Sequence, residues 1–478
     1  MMSVLVLTAH IAIVVSFSVR ILIREDISPP SRLAWFIVLL VLPLAGASLY
    51  FLFGETDVGH RHRHAHHLIF NTIRAKRRAY MGLPENIDTL VDPLYRSGSA
   101  YASSINGFYP VDGNTAEVLE EADDFKTRLV ADIDAATDHV HVLFYIWLTD
   151  DTGTAVADAL IRAAKRGVTC RAIADAMGSR GLIRSDLWQR MQDAGVLAKV
   201  ALPVEKPLLV MLKSRIDLRN HRKIMVIDSK ITYCGSRNTA DPEFRHKPRF
   251  APWVDIMLRF QGPVVAQNQL LFTSDWMQVT GQPVTDIPLQ AESFEGGFTA
   301  QVLGDGPTER FGATPQLFSV LFSTARDTLT LSTPYFVPDA TVVEALCAAA
   351  HRGTRVTLIF PERNDSRFVA AASRSYYRRL LRAGCRIFEY QPGLLHAKTL
   401  TIDGVISLVG STNLDLRSFD LNYENNILLE SRDITSRIET HQKAFLADSV
   451  EIDLLAVMAW PAHRKILNNI AATVGPLL

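Results

Sequence analysis

Three regimes of apolar and polar residues follow one another along this 478-residue chain. The first is a pair of uncharged runs, Met1 to Val19 and Leu33 to Gly54. Each is about as long as a bilayer-spanning helix, which needs roughly 20 apolar residues. The link between them carries Arg20, Arg24 and Arg32 against Glu25 and Asp26, whereas Arg61, Arg63, Arg74, Lys76, Arg77 and Arg78 follow the second run. Positive charge therefore concentrates after the hairpin, which predicts that the rest of the chain is cytoplasmic. A cleaved signal peptide is the competing reading of the first run, but the positive n-region of such a peptide is missing. His10 and Pro43 within the runs face a partner helix or mark a kink.

The second regime is polar and holds His60, His62, His64, His66 and His67 among arginines. Imidazoles are common metal ligands, yet no Cys or Glu completes a set at ordered spacing and Asp57 alone is a poor fourth ligand. The stretch reads as a solvated juxtamembrane segment lying against anionic headgroups.

The third regime alternates short apolar runs with helical periodicity, and does so twice. A strand from His139 to Trp147 leads to a helix ending near Lys165-Arg166-Gly167, then a strand from Val168 to Ile173. The later half repeats this with Leu329 to Phe336, a helix ending near His351-Arg352-Gly353, and Arg355 to Phe360. Each is a βαβ unit. A further helix stops at Ala194-Gly195 in one half and Ala383-Gly384 in the other. The pattern predicts an α/β protein of two similar lobes, mixed sheets flanked by helices, behind a two-helix transmembrane hairpin. The boundaries expected are hairpin 1–55, juxtamembrane linker 56–110, first lobe 111–291 and second lobe 292–478, with the connection near Glu292 to Gly306, where glycines cluster.

Composition fits that plan. With 48% hydrophobic residues the chain suffices for two lobes and an anchor, and a formal net charge of +0 leaves no basic field for nucleic acid. The four cysteines, Cys170, Cys234, Cys347 and Cys385, show neither C-x-x-C nor metal-ligand spacing and read as reduced, buried thiols.

The chemistry sits in a repeat. His221, Lys223 and Asp228 form H-x-K-x-x-x-x-D, followed by Gly235, Ser236 and Asn238; His396, Lys398 and Asp403, followed by Gly410, Ser411 and Asn413, lie 175 residues further on, position for position. One such string is weak evidence, and two in one register are strong. On a strand, i and i+2 share a face, so each histidine projects beside its lysine. Asp228 and Asp403 fall on the opposite parity at a turn and suit a structural role better than substrate contact, although they complete the candidate catalytic set. Two His-Lys pairs are the equipment for phosphodiester transfer. The lysines neutralise charge building on the phosphoryl oxygens, Asn238 and Asn413 donate further hydrogen bonds, one histidine attacks phosphorus, and the other protonates the departing alcohol. No metal or other cofactor is required.

With these motifs in hand, the sequence resembles the phospholipase D superfamily and, within it, the bacterial cardiolipin synthases. Supporting stretches are Asn220 to Lys223, Thr333 to Asp339, Asn413 to Ser418 with Phe419, and the terminal Pro476-Leu477-Leu478. The resemblance implies His221 as nucleophile and His396 as acid and base. It implies Glu424, in Asn422-Tyr423-Glu424-Asn425 and 28 residues past His396, as the carboxylate of the second lobe. The first lobe's counterpart is Asp255, within Trp253-Val254-Asp255, where the family more often has Arg before the acid; on this correspondence Asp255 serves His221 and Glu424 serves His396. Both carboxylates have the alternative reading of surface ion pairs. The implied reaction moves a phosphatidyl group from one phosphatidylglycerol to another at a bacterial inner membrane, with phospholipids and the membrane as partners, no nucleic acid, and oligomeric state open. A phospholipase D-type hydrolase and a synthase using phosphatidylethanolamine are the related alternatives. A nuclease would need a basic groove, and a non-catalytic scaffold would carry degenerate motifs. The CDP-dependent route's D-G-x-x-A-R motif is absent from the chain.

One asymmetry remains. Gly195 to His221 spans 26 residues and Gly384 to His396 spans 12, so the first lobe has an insertion holding Pro203, Pro207 and the apolar run Leu208 to Leu212, flanked by Lys206, Lys213 and Arg215. It reads either as a lip of the site dipping into the membrane interface or as a loop covering lobe packing.

Overall fold

The computed structural model of the protein describes residues 2–24, 27, 29–54, 60–203, 217–244, 246–284, 287–290 and 292–474. The apolar run of the insertion and the last four residues lie outside them. At the N-terminus stand helices Met2–Ile23, Pro29–Val41 and Pro43–Phe53. The second uncharged run is thus two helices, because Pro43 lacks the N–H that would continue the first. Ile21, Trp35, Leu39 and Tyr50 are buried among the three, while Ile23, Leu40 and Leu44 stay exposed. Among the described residues no helix is long and apolar enough to cross a membrane.

The histidine-rich stretch is solvated on one side only, with His64 and His67 exposed. It forms the helix His60–Arg77, whose inward stripe of His66, Phe70 and Ile73 is buried. His66 Nε2 lies 2.7 Å from a Glu309 carboxylate oxygen, and Phe70 and Ile73 join the core shared by the two lobes. No group of His, Cys, Asp and Glu fit to hold a metal is found among the described residues.

The first half contains strands β1 (Val111–Leu119), β2 (His139–Phe144), β3 (Thr169–Asp175), β4 (Leu197–Ala201), β5 (Arg219–Asn220), β6 (Lys223–Ile227), β7 (Ile231–Gly235), β8 (Trp253–Val254) and β9 (Met257–Gln261). The second contains β10 (Phe298–Asp305), β11 (Thr328–Ser332), β12 (Phe336–Val337), β13 (Arg355–Pro361), β14 (Arg386–Tyr390), β15 (Leu394–Leu395), β16 (Thr399–Ile402), β17 (Ile406–Gly410), β18 (Leu414–Asp415), β19 (Asn422–Glu430) and β20 (Ser449–Glu451). Sheet order is β4-β3-β2-β6-β7-β9-β1 in one half and β20-β14-β13-β11-β16-β17-β19-β10 in the other, joined where β1 meets β10. Apart from β20 the orders match strand for strand, with parallel pairs inside each βαβ unit and antiparallel pairs elsewhere. Strand β10, Phe298–Asp305, begins within the stretch Glu292 to Gly306 that was expected to connect the lobes.

Period-two patterning splits each central strand between two cores. In β6, Met225 and Ile227 turn toward the first lobe's helices, whereas Ile224 and Val226 enter the core between lobes. In β17, Ile406 and Leu408 face the second lobe's helices and Val409 faces the first lobe. Both sheet faces are covered, which is why the strands read as nearly continuous apolar runs. Helix Asp151–Lys165 starts at Asp150, whose side chain accepts from Gly153 N, and helix Ala340–His351 starts likewise at Asp339. They stop before Gly167 and Gly353, whose φ of 92° and 96° only glycine adopts freely.

Candidate active site

Each catalytic motif is stitched to the opposite lobe before its own strand begins. β5 pairs in parallel with β19, and His221 N donates to Tyr423 O at 2.9 Å. β15 pairs with β8, and His396 N donates to Val254 O at 2.7 Å. The histidines therefore sit in short extended links outside the long strands, where continuous strands were expected. The lysines begin β6 and the approach to β16, and each curls back: Lys223 Nζ donates to His221 O at 2.7 Å and Lys398 Nζ to His396 O at 2.6 Å.

The stitching crosses the carboxylates. His221 Nδ1 lies 2.8 Å from Glu424 Oε2, and His396 Nδ1 lies 2.6 Å from Asp255 Oδ1. This corrects the pairing within lobes expected from the motif correspondence, for β5 runs beside Glu424 on β19 and β15 runs beside Asp255 after β8. Neither acid is a surface ion-pair member, since both are buried. Ser236 Oγ donates to Asp255 Oδ1 at 2.6 Å, and Ser411 Oγ donates to Glu424 Oε2. The motif serine thus holds its own lobe's carboxylate, which in turn holds the other lobe's histidine. At Gly235 and Gly410 a Cβ would collide with the backbone of Ile256 and Asn425, so these motif glycines let the carboxylate strand lie close.

The electrostatics favour neutral imidazoles. Burial pushes His221 down to about 4 against the upward pull of Glu424, and burial lowers His396 against Asp255. Lys223 is pushed down to about 8 and Lys398 to about 7, both by burial, with Glu424 and Asp255 opposing. Burial raises both carboxylates, and their histidine and lysine partners outweigh it, holding both below the usual carboxylate range. Each histidine also senses the other lobe's lysine, so all six groups share one site.

Asp228 and Asp403 lie at the far ends of β6 and β16 and do not join this cluster. The Asp228 carboxylate accepts from the backbone N–H groups of Thr137, Asp138 and His139 at 2.9 Å, and Asp403 from those of Arg326, Asp327 and Thr328 at 2.8 Å. Both residues take a φ of 52°. They tie down the starts of β2 and β11, apart from the histidine–lysine cluster. Asn238 Oδ1 accepts from Ile146 N at 3.2 Å, leaving its buried Nδ2 without a partner among the described residues. Asn413 Nδ2 donates to Ser418 Oγ at 3.1 Å.

Comparison with known proteins follows this geometry. Residues 129–249 and 319–446 match the family model described as "Cardiolipin synthase, PLD-like domain". The chain belongs to this family. Residues 12–55 match "Phospholipase_D-nuclease N-terminal". Proteins named cardiolipin synthase A from Edwardsiella ictaluri and Proteus mirabilis are 33% and 34% identical, covering 98% and 94% of this chain and 96% and 93% of their own. A solved phosphatidylserine synthase from Haemophilus influenzae superposes with a TM-score of 0.56 at 17% identity, covering 76% of this chain and 95% of that one, a likeness of fold alone.

Beyond the cardiolipin synthase motifs, three aromatic residues shape the site without having been anticipated. Tyr145 and His221 meet edge to face with ring centroids 4.9 Å apart, and the rings of Tyr335 and His396 do so at 6.4 Å. Each lies near the end of the first apolar run of its lobe's βαβ unit, a signal present in the sequence but obscured by different spacing to the motif. Trp253 stacks on His396 at 4.6 Å with Phe244 on its far face at 3.8 Å. Its counterpart two residues before Glu424 is Asn422, so the two histidines have unlike surroundings.

Proposed function

We propose that the protein is a cardiolipin synthase whose two crossed histidine–carboxylate pairs transfer a phosphatidyl group between phosphatidylglycerol molecules. The observation that carries this reading is the pair of buried imidazoles, each held at Nδ1 by the other lobe's acid and flanked by a lysine. His221, neutral and oriented by Glu424, attacks phosphorus through Nε2, and Lys223 and Lys398 offset the charge on the non-bridging oxygens. The bond to glycerol breaks, and His396 gives that oxygen its proton; the anionic substrate favours the imidazolium this requires. His396 then accepts the proton of a second phosphatidylglycerol's hydroxyl, whose oxygen attacks the phosphohistidine and frees His221. One phosphodiester replaces another, so no nucleotide is consumed. Asn238 Nδ2 is the donor available for a phosphoryl oxygen.

The N-terminal helices form the membrane hairpin of a bacterial inner-membrane enzyme, with both lobes on the cytoplasmic side. Their outward apolar side chains and the basic residues after Gly54 support that placement. The test is incubation of the purified, detergent-solubilised protein with phosphatidylglycerol alone, followed by mass analysis. Cardiolipin and glycerol are expected and should vanish in His221→Ala and His396→Ala. Phosphatidic acid alone would assign hydrolysis, and turnover only with added phosphatidylethanolamine would assign the variant synthase.

A further inference from the structure

The last helix of the chain is built inside out. Ala462–Val474 turns Asn468 and Ala471 inward, both buried, and turns Ile466, Leu467 and Ile470 outward at 58%, 61% and 54% exposure. The preceding short helix Leu454–Met458 adds Leu455 at 73% and Met458. A helix packed on a soluble body normally does the reverse. Beyond Asp453 the sequence contains no Asp or Glu, whereas Arg464 and Lys465 stand beside the apolar stripe.

This helix lies along helix Arg367–Ala383, and between them runs a groove of about 450 Å³ lined by Arg374, Arg378, Arg382, Trp460, Lys465 and Asn469. Arg374 is committed to Glu389, but Arg378 and Arg382 are exposed and form no ion pair among the described residues. At its far end Ala471 and Ala472 meet Val337 of β12, two residues past Tyr335. The far end of this helix therefore packs on the strand that follows Tyr335.

We infer that this surface is an interfacial binding site for anionic phospholipid in the bilayer. The phosphate lies by Arg378, Arg382 and Lys465, and the acyl chains lie along Leu467 and Ile470. Charge complementarity selects this occupant: a cationic groove beside an outward apolar stripe matches a lipid with an anionic head and an apolar tail. Trp460, under Arg464 at 3.9 Å, is the kind of side chain found at the headgroup level.

The test uses the full chain in vesicles. All four native cysteines are buried, so Leu467→Cys and, as a reference on the β4 edge, Leu197→Cys can be labelled singly with an environment-sensitive fluorophore. In vesicles containing phosphatidylglycerol the label at 467 should be quenched by nitroxide-bearing lipid and shielded from aqueous iodide, with the label at 197 showing the opposite. Replacing Arg378 or Arg382 by Ala should lower the equilibrium constant for embedding about fivefold per charge. Iodide quenching at 467 equal to that at 197 would overturn the proposal. So would shielding that follows protein concentration and ignores lipid charge, which would assign the stripe to a second copy of the chain. The readout is probe depth, so it stands apart from whether cardiolipin is formed.

Discussion

An imidazole that attacks phosphorus must keep the lone pair on Nε2, and one that protonates an alkoxide must carry a proton there. The crossed wiring assigns a different carboxylate to each duty, and a substrate with an activated leaving group separates them. p-Nitrophenolate departs unaided, so phosphatidyl-p-nitrophenol should restore the single-turnover burst of p-nitrophenol to Asp255→Asn and His396→Asn, but not to Glu424→Gln, whose burst should stay roughly 10–100-fold slower. Pairing within lobes would exchange the results of the two carboxylate variants and leave that of His396→Asn unchanged, read directly by absorbance. The lysines make a second prediction. Lys398 near 7 and Lys223 near 8 lose their protons in the empty site as pH rises through that range, and a bound phosphodiester anion restores them. Anion affinity should therefore fall by up to about tenfold per pH unit for each lysine titrating, and calorimetry at pH 8 in buffers of different ionisation enthalpy should show proton uptake on phosphate binding. His221 stays neutral down to about pH 4 and does not enter this window. The histidines, lysines and serines were legible from the repeat, because spacing along one chain records them. Which acid meets which histidine is a fact of the fold, and the one-to-one motif correspondence pointed the wrong way.

Two-residue strands carry the crossing, and nothing in two residues has a period. Arg219–Asn220 and Leu394–Leu395 could not be distinguished from loop by pattern, whereas β2, β3, β11 and β13 announced themselves as apolar runs. Those runs overshot at their ends: His139 to Trp147 was read as strand, yet the ladder stops at Phe144 because the chain turns to place Tyr145 beside His221. The helix His60–Arg77 was missed for a compositional reason. Its histidines and arginines masked the inward spacing of His66, Phe70 and Ile73, a helical stripe visible only when His66 is counted as a buried side chain. The motif aspartates also belong to this scale, since each fastens the end of one strand to the start of its neighbour. Asp228→Ala should lower stability by about 3 kcal/mol through lost charge-assisted hydrogen bonds and strain at a positive φ. Measured well below the melting midpoint, its turnover should match that of the parent; a loss of turnover with unchanged melting would return Asp228 to the catalytic set.

At the scale of the molecule, the lobes hold each other's chemistry and neither contains a complete site. Arg222 states this structurally: it is buried, ion-paired with Asp275 of its own lobe at 2.7 Å, and donates to the backbone oxygens of Glu424 and Asp305 of the other. The N-terminal helices stand outside this arrangement, for they touch one another far more than they touch the lobes. The helix that follows them does not, because Phe70 and Ile73 complete the core between lobes and His66 reaches Glu309. Two truncations should therefore behave differently. Removal of residues 1–54 should leave the melting temperature of the lobes and turnover of a water-soluble short-chain phosphodiester unchanged, while turnover of phosphatidylglycerol in vesicles falls, because only delivery to the bilayer is lost. Removal of residues 1–74 empties two large apolar sites in the shared core, at a cost of about 5 kcal/mol or more, and should abolish both activities together with cooperative melting. Should the shorter truncation lose both substrates equally, the N-terminal helices would be supporting the fold of the site, and their role in bringing it to lipid would have to be given up.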